Sequence, residues 1–224
     1  MEELNKNGFS VIYNVFPSSE CIRILDHLSN WKVGRSRAGT RHLMSCPAIS
    51  SLANDKRLIA LASTALSEPA IPYRATLFEK SPKSNWLVVW HQDTSLPLSR
   101  KLDGSEWGPW SCKAGVTYAR APSWALERVV TLRVHLDHCA SENGPLRVIP
   151  GSHNKGVLTE NEIGAITNTQ ASAECVVPAG GVLLMKPLII HASSKSKSKT
   201  PRRILHIEYA PQAGIGTGIH LAVA

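Results

Sequence analysis

A histidine and an aspartate two residues apart end an apolar run in residues 88–98, which read VVWHQDTSLPL. In an extended chain, residues i and i+2 project to the same face, so His91 and Asp93 are expected to point together, roughly 6–7 Å apart at the backbone. One imidazole and one carboxylate are two thirds of the 2-His-1-carboxylate facial triad, which binds Fe(II) and leaves coordination positions open. The pair therefore predicts a metal site, provided that a second histidine comes from elsewhere in the chain.

That histidine is predicted to be His191, which ends another apolar run, KPLIIH, shortly before the last long strand. A lone His-x-Asp pair is common by chance, so the prediction depends on this second histidine and on an arginine beyond it. An iron centre of this type needs a co-substrate, 2-oxoglutarate, to activate O2. The planar fork of an arginine suits the far carboxylate of that co-substrate, because it donates two parallel hydrogen bonds.

Two adjacent arginines, Arg202 and Arg203, compete for this role in TPRRILHIEYA. Neighbouring residues of a strand point to opposite faces, so only one of them can face inward. The apolar residues Leu205, Ile207 and Tyr209 favour Arg203 as the inward one, and periodicity alone leaves the choice open.

Four segments, WHQD, NGPLRVIPGSH, LLMKPLIIHASS and RRILHIEYA, together resemble the phytanoyl-CoA dioxygenase family of Fe(II)/2-oxoglutarate-dependent oxygenases, particularly its small bacterial members. The resemblance covers about residues 77–210. The iron ligands that it implies are His91, Asp93 and His191. It also implies that Arg202, eleven residues after the second histidine, binds 2-oxoglutarate with the help of Ser193. Related halogenases carry a small residue in place of the aspartate, so Asp93 favours hydroxylation.

Three residues are candidates for substrate contact. Arg133, in TLRVHLD, is equally well interpreted as a surface residue or as a partner for an acidic substrate or for 2-oxoglutarate near iron. Trp107 and Trp110 lie in residues 99–123, a long stretch rich in Trp, Gly and Pro that is typical of a functional lid.

Three other polar residues near these motifs are expected to have structural roles. Gln92 should point away from the metal if its two neighbours point toward it. Lys80, ahead of the metal strand, could meet a carboxylate, but a solvated lysine is the more common case and is the interpretation adopted. His135 is interpreted as a hydrogen-bonded polar residue rather than a fourth ligand.

The predicted secondary structure that positions the site differs between the first 70 residues and the rest of the chain. Residues 1–70 read as mostly helical after one leading strand, with a helix in PSSECIRILDHLSNW and a second in SSLANDKRLIALASTAL. The first helix is expected to start at a serine cap and to carry Ile22, Leu25 and Leu28 on its apolar face.

Residues 71–212 read as short β-rich segments between turn signals such as SENGP and PAGG. One helix interrupts them, where Thr159 and Glu162 have the spacing of a capping box. The chain is therefore predicted to be a single mainly β domain over residues 1–224: a double-stranded β-helix (jelly roll, cupin-like) with N-terminal α-helices packed on one sheet.

Composition narrows the function classes. The 224 residues include 43% hydrophobic and 19% charged residues, a balance typical of a globular protein. The start shows no signal-peptide pattern, no apolar run is long enough to span a membrane, and the five scattered cysteines include no CxxC pair, so a reduced cytoplasmic protein is expected. The net charge of +8 lies partly in the basic segment SSKSKSKTPRR, which is interpreted as a solvated loop.

The sequence thus predicts an Fe(II)- and 2-oxoglutarate-dependent dioxygenase that uses O2 to hydroxylate a small molecule, with decarboxylation of 2-oxoglutarate to succinate and CO2. Basic charge favours an anionic substrate, and neither a membrane nor a nucleic acid is the expected partner. Two alternatives are a metal-binding jelly roll that serves as a sensor or scaffold, and a nucleic-acid-linked oxygenase or binder motivated by the charge. The identity of the substrate and the oligomeric state cannot be read from the sequence.

Overall fold

The computed structural model describes residues 1–31, 39–102 and 106–224. Helices within these ranges are α1 (Glu2–Asn7), α2 (Ser18–Asn30), α3 (Pro47–Ala53), α4 (Lys56–Leu66), α5 (Ser123–Glu127) and α6 (Glu160–Thr169). Strands are β1 (Phe9–Ile12), β2 (Gly39–Thr40), β3 (Ala70–Lys80), β4 (Val88–His91), β5 (Ser95–Leu98), β6 (Trp110–Lys113), β7 (Val116–Arg120), β8 (Val130–His135), β9 (Leu146–Val148), β10 (Ala173–Cys175), β11 (Val182–Met185), β12 (His191–Ser193) and β13 (Arg202–Pro211).

Two antiparallel sheets enclose the predicted site. The larger sheet has the strand order β1-β11-β8-β13-β3-β2, and the smaller has the order β10-β9-β12-β4. A further sheet, β5-β7-β6, includes part of the stretch that was expected to be a long loop. The mainly β jelly roll that the sequence predicts is therefore the fold observed.

The N-terminal helices cover one face of the larger sheet. Side chains of α2, α3 and α4 share a buried cluster with alternate residues of the central strands, which are Leu132, Val134, Leu205 and Ile207. Tyr209 belongs to the same cluster and donates a hydrogen bond from its hydroxyl to the carbonyl of Ala53. The apolar face of this sheet thus packs on helices, and the residues between them point to the space between the two sheets.

This layering explains why the apolar pattern favoured Arg203 as the inward arginine although Arg202 is the one that lines the cavity. Apolar residues were taken to mark the inside of the barrel, but they mark the face that the helices cover. Arg203 lies on that face and binds Asp137 through its Nε and Nη2 atoms, at 2.7 and 2.8 Å. Arg202, which the family resemblance selects, points to the opposite side and is buried.

Two helix predictions in the first 70 residues were wrong in detail. Helix α2 has Pro17 as its N-cap without a side-chain cap, and it buries Cys21, Ile24 and Leu28 while Ile22 is 58% exposed. The buried face of α2 therefore differs from the predicted one. On this face the Cys21 side chain lies against the backbone of the larger sheet, with Sγ 3.9 Å from the carbonyl of His135.

The second helix is divided into α3 and α4. Asp55 separates them because its carboxylate accepts the backbone N–H of Arg57 and caps α4. The capping box that begins α6 is confirmed, with Thr159 and Glu162 bonded reciprocally.

No helix in the part of the chain that the structure describes is long and apolar enough to cross a membrane.

Candidate active site

The three predicted metal ligands meet at one end of the smaller sheet. His91 on β4 lies directly opposite His191 on β12 in the antiparallel register. Asp93 follows β4, and its backbone N–H donates to the carbonyl of Pro187 at 3.0 Å, which fixes the turn. Residues 100 positions apart in sequence thus become neighbours through strand pairing.

The ligand atoms converge on one point. One nitrogen of each histidine and one carboxylate oxygen of Asp93 all lie within 4.8 Å of one another. The Nε2 of His91 is 3.9 Å from Oδ1 of Asp93, and the Nε2 of His191 is 3.6 Å from Oδ2 of the same carboxylate. These separations leave room for one ion between the three side chains.

Hydrogen bonds fix which ring nitrogen faces the ion. The Nδ1 of His91 lies 2.8 Å from the carbonyl of Val89, and the Nδ1 of His191 lies 2.9 Å from the carbonyl of Ile189. A carbonyl only accepts, so each Nδ1 carries the hydrogen and each Nε2 presents a lone pair. Both rings are therefore held in the tautomer that a metal ligand needs.

The protonation states also suit a cation. Burial lowers the pKa of His191 to about 4, so its ring is neutral at pH 7. Burial opposes ionisation of Asp93, but the neighbouring His191, His206 and His91 outweigh it and hold the pKa of that carboxyl below its ordinary value. Neutral imidazole and ionised carboxylate are the forms that bind metal.

A cavity of about 130 Å³ opens beside the triad, between the two sheets. Its lining residues are Arg74, Phe78, Trp86, Val88, His91, Asp93, Arg133, Leu146, His191, Ser193, Arg202, His206 and Glu208. The set includes the five residues predicted for metal and co-substrate. It also includes Arg74, His206 and Glu208, which sequence reasoning missed.

One end of the cavity holds Arg202 and Ser193 on neighbouring sheets. Arg202 is 2% exposed, and its Nη1 donates to the carbonyl of Gly144. Its Nε has no hydrogen-bond partner among the described residues. The described residues thus give this buried guanidinium no carboxylate partner, which indicates an anionic ligand at this end.

Lys80 does not lie in solvent as predicted. It is fully buried at the end of β3, directly opposite Arg202, and its Nζ donates to Ser193 Oγ at 2.7 Å and to the carbonyl of Ser194. The prediction failed because the alternation of residue types along this strand does not show which face of the sheet its last residue, Lys80, lies on.

The floor of the cavity is a hydrogen-bonded row on the larger sheet. Arg133 donates from Nη1 to Nδ1 of His206 at 2.9 Å, so the His206 hydrogen is on Nε2, 3.1 Å from Glu208. Glu208 in turn pairs with Arg74 at 3.1 Å. Of the two roles that the sequence leaves open for Arg133, the structure places it in the cavity rather than on the surface.

His135 differs from its expected role. Neither of its ring nitrogens has a hydrogen-bond partner among the residues described, although the side chain is 2% exposed. Burial, followed by the charges of Arg133 and Arg202, lowers its pKa well below the ordinary value, so the ring is neutral. It lies outside the ligand cluster.

The two tryptophans predicted to contact substrate lie elsewhere. Trp107 packs edge to face on Trp124, with ring centroids 6.0 Å apart, and Trp110 packs against the same cluster. Neither lines the cavity, whereas Trp86 does. Residues 103–105 of that stretch lie outside the described residues.

Gln92 has the structural role expected of it. Its Nε2 donates to the carbonyls of Leu188 and Gly156 at 2.7 and 2.9 Å, and its Oε1 accepts from the N–H of Leu158 at 2.8 Å. It thereby ties the segment between His91 and Asp93 to two other loops.

Gln92→Ala is expected to lower the free energy of unfolding by about 2–3 kcal/mol, because one buried and two partly buried backbone groups lose their partner. Urea denaturation measures the change. Gln170→Ala, at an exposed helix end, is the matched control and should change stability by less than about 0.5 kcal/mol. Equal stability of the two variants would show that water replaces the Gln92 amide.

Comparisons with known proteins identify relatives in sequence and in fold. A curated relative, L-proline trans-4-hydroxylase from Streptomyces griseoviridis, is 26% identical over 178 residues, covering 68% of this chain and 59% of the relative. The chain thus spans less than two thirds of that relative's length.

Three solved structures share the fold. AviO1 from Streptomyces viridochromogenes Tue57 has a TM-score of 0.69 at 22% identity, covering 95% of this chain and 94% of that one. HygX from Streptomyces hygroscopicus, with nickel and 2-oxoglutarate bound, scores 0.66 at 20% identity and 93% and 84% coverage. EctD from S. alaskensis, in its apoform, scores 0.70 at 19% identity and 95% and 76% coverage.

A family model matches most of the chain. Its description is phytanoyl-CoA dioxygenase (PhyH), and it matches residues 4–204, a stretch that includes the three converging ligands and both residues at the arginine end of the cavity. With the fold and this match together, the resemblance seen in the sequence is confirmed, and the chain belongs to the phytanoyl-CoA dioxygenase family.

Proposed function

We propose that this protein is an Fe(II)- and 2-oxoglutarate-dependent dioxygenase that hydroxylates a small molecule. The observation that carries the proposal is one cavity with two complementary ends. His91, Asp93 and His191 converge within 4.8 Å at one end, and the buried Arg202 lacks a carboxylate at the other.

The donor set fits iron. Two neutral imidazoles and one ionised carboxylate on one side of an ion are the facial arrangement that non-haem Fe(II) oxygenases use. Thiolates, which would favour zinc or an iron–sulfur cluster, are absent from the ligand cluster found among the described residues. When bound, iron and 2-oxoglutarate together supply O2 activation coupled to decarboxylation of the co-substrate to succinate and CO2.

The chain's own residues bind and orient the co-substrate. Arg202 is predicted to hold the far carboxylate of 2-oxoglutarate by two parallel hydrogen bonds, and Ser193 to add a third from the facing sheet. Family membership supports these roles, as does the 2-oxoglutarate bound in the related fold of HygX.

Charge balance in the cavity favours an anionic substrate. Arg74 is paired with Glu208, Asp93 is assigned to the metal, and Arg202 is assigned to the co-substrate. Arg133 remains, and its partner is His206, which carries no negative charge. Burial and Arg202 lower the pKa of Arg133 to about 10, so it stays charged at pH 7 and suits a carboxylate of the substrate. The curated relative is named for L-proline, which also carries a carboxylate.

The test is an anaerobic titration of the metal-free protein with Fe(II) and then 2-oxoglutarate, observed through the visible charge-transfer band of the chelate. A band that saturates at one equivalent, followed by succinate formation when air is admitted, is the expected result. Iron binding with neither a band nor succinate would overturn the oxygenase and leave the metal-binding scaffold.

A further inference from the structure

Glu208 is, apart from the candidate ligand Asp93, the only carboxylate among the described residues that line the cavity. Its side chain is 8% exposed, and in the register of the larger sheet it lies between Arg74 on β3 and Thr131 on β8. Burial opposes its ionisation, but Arg74 and the hydrogen bond from His206 outweigh burial and hold the pKa of that carboxyl below its ordinary value. The floor of the cavity thus carries a negative charge that the metal does not use.

The two oxygens of Glu208 are unequally bonded. Oε1 accepts from Nη1 of Arg74 and from Nε2 of His206, both at 3.1 Å. Among the described residues, Oε2 accepts one longer hydrogen bond, of 3.4 Å, from the same nitrogen of Arg74. A carboxylate has roughly four lone-pair sites, so Oε2 can accept from a donor in the cavity.

Stability alone does not account for the ion pair between Arg74 and Glu208. A buried ion pair gains little over apolar residues of similar volume, because the cost of removing both charges from water offsets their attraction. This pair lines a cavity, and it uses one guanidinium nitrogen instead of the two parallel hydrogen bonds that arginine can donate to a carboxylate. Both features are expected of a charged pair that a ligand completes.

Buried polar atoms without a partner lie on the same floor. Among the described residues they include Nε of Arg74, Nε of Arg133 and the hydroxyl of Thr76. Thr76 is two residues from Arg74 on β3 and lies opposite His206 on β13. Native proteins satisfy nearly all of their buried polar groups, so these atoms indicate a polar ligand over the centre of the larger sheet.

A positive charge lies on the other side of the same imidazole ring. His206 accepts from Nη1 of Arg133 at 2.9 Å and donates to Glu208 at 3.1 Å. One ring with a hydrogen bond at each end therefore separates the cation from the anion. In an α-amino acid, a single carbon separates the ammonium from the carboxylate, so the molecule with a hydrogen bond at each end spans a comparable distance.

We propose that the substrate is an α-amino acid, or a derivative that keeps both of its charges, and that Glu208 is the specificity-determining residue that binds the ammonium group. The carboxylate of the same substrate then lies at Arg133. An ammonium group has three hydrogens to donate, and Oε2 of Glu208 accepts one of them. This inference rests on the proposed function, and it names the class of substrate for the same cavity.

The experiment compares pairs of small acids that differ only in the amine: L-alanine with propionate, L-proline with cyclopentanecarboxylate, and L-leucine with 4-methylpentanoate. Each is titrated anaerobically into the protein saturated with Fe(II) and 2-oxoglutarate, and the change in the visible charge-transfer band reports binding beside the metal. The wild type is expected to bind at least one amino acid about 10- to 100-fold more tightly than its partner acid, the effect of one hydrogen bond to a charged group.

Glu208→Gln removes the charge and keeps the shape. In this variant the preference for the amine should fall below about threefold, while the affinity for the partner acid changes little, because the two perturbations remove the same contact. Glu174→Gln changes an exposed glutamate of β10 and should keep the wild-type preference. A normal band of the chelate shows that a variant is folded. Glu208→Asp replaces the glutamine variant if that protein does not fold, and its retracted carboxylate should lower the preference at least about threefold.

The outcomes distinguish the two proposals. A wild-type protein that binds Fe(II) but forms no band with 2-oxoglutarate overturns the proposed function. A wild type that forms the band and binds none of the three amino acids more tightly than its partner acid overturns the role of Glu208 and leaves the oxygenase standing. A folded Glu208→Gln variant that keeps the full preference for the amine has the same consequence.

Discussion

Replacement of His191 by alanine is expected to lower the affinity for Fe(II) by more than about 100-fold, since even changes behind a metal ligand cost 10–100-fold. The reason is that His191 is the buried ligand, 4% exposed in its side chain, with its Nε2 already aimed at the shared point. The two remaining ligands compete less well with water for Fe(II). Titration with Co(II), followed by its visible absorption, measures the loss, and turnover of 2-oxoglutarate should disappear with it.

His138→Ala is the matched control, because His138 is an exposed histidine three residues beyond β8. It should bind metal as the wild type does. Asp93→Ala removes a ligand whose side chain is 37% exposed, so it repeats the test with little risk to folding. Metal affinity within about threefold of wild type in both ligand variants would contradict the assignment of the triad.

The second large effect, on the affinity for 2-oxoglutarate, is expected to distinguish the two adjacent arginines. Arg202→Ala should weaken binding of 2-oxoglutarate by about 2–5 kcal/mol, or roughly 30-fold to several thousand-fold, because a buried charged partner of the carboxylate is lost. Arg203→Ala should leave that affinity unchanged, because its guanidinium binds Asp137 on the other face. Loss of this partly exposed pair costs up to about 1 kcal/mol of stability.

The comparison is informative because the two variants remove the same group one residue apart. Calorimetry with Mn(II)-loaded protein gives the affinities, and urea denaturation gives the stabilities. Equal weakening by the two variants would point to a general effect of positive charge rather than to a specific contact. Stronger weakening by Arg203→Ala would reverse the assignment.

The convergence of the three candidate metal ligands could be predicted from the sequence because each part of their signal is local and chemically unusual. Two apolar runs end in groups that are costly to bury, one in His91 and Asp93 and the other in His191, and a shared ion would offset that cost. The strand period places the first two on one side. Three other features were predictable because each depends on residues close together in the chain. These are the mainly β class, the capping box at Thr159, and the orientation of Gln92 away from the candidate metal site.

What the sequence missed depends on contacts between distant segments. The covering helices decide which face of β13 is apolar, so periodicity could not select Arg202, and only the family resemblance did. Lys80 was interpreted as solvated because its partner, Ser193, lies 113 residues away. Trp107 and Trp110 were selected because their stretch is rich in Trp, Gly and Pro, but both pack in a separate hydrophobic cluster, and Trp107 also contacts Trp124.

Because His91 and His191 lie on paired strands, an ion bound to both would also act as a non-covalent cross-link between β4 and β12. Strand β4 lies at an edge of its sheet, and its pairing with β12 is irregular between His191 and Ser193. Edge segments with few bonds open locally at low free-energy cost. An ion bound to both strands would have to leave before β4 could separate, which stabilises the closed form by about 2.7 kcal/mol at a free metal concentration of 100 times Kd. Amide hydrogens of β4 and β12 should then exchange with solvent more slowly in the metal-loaded protein, while those of α2 keep their rates.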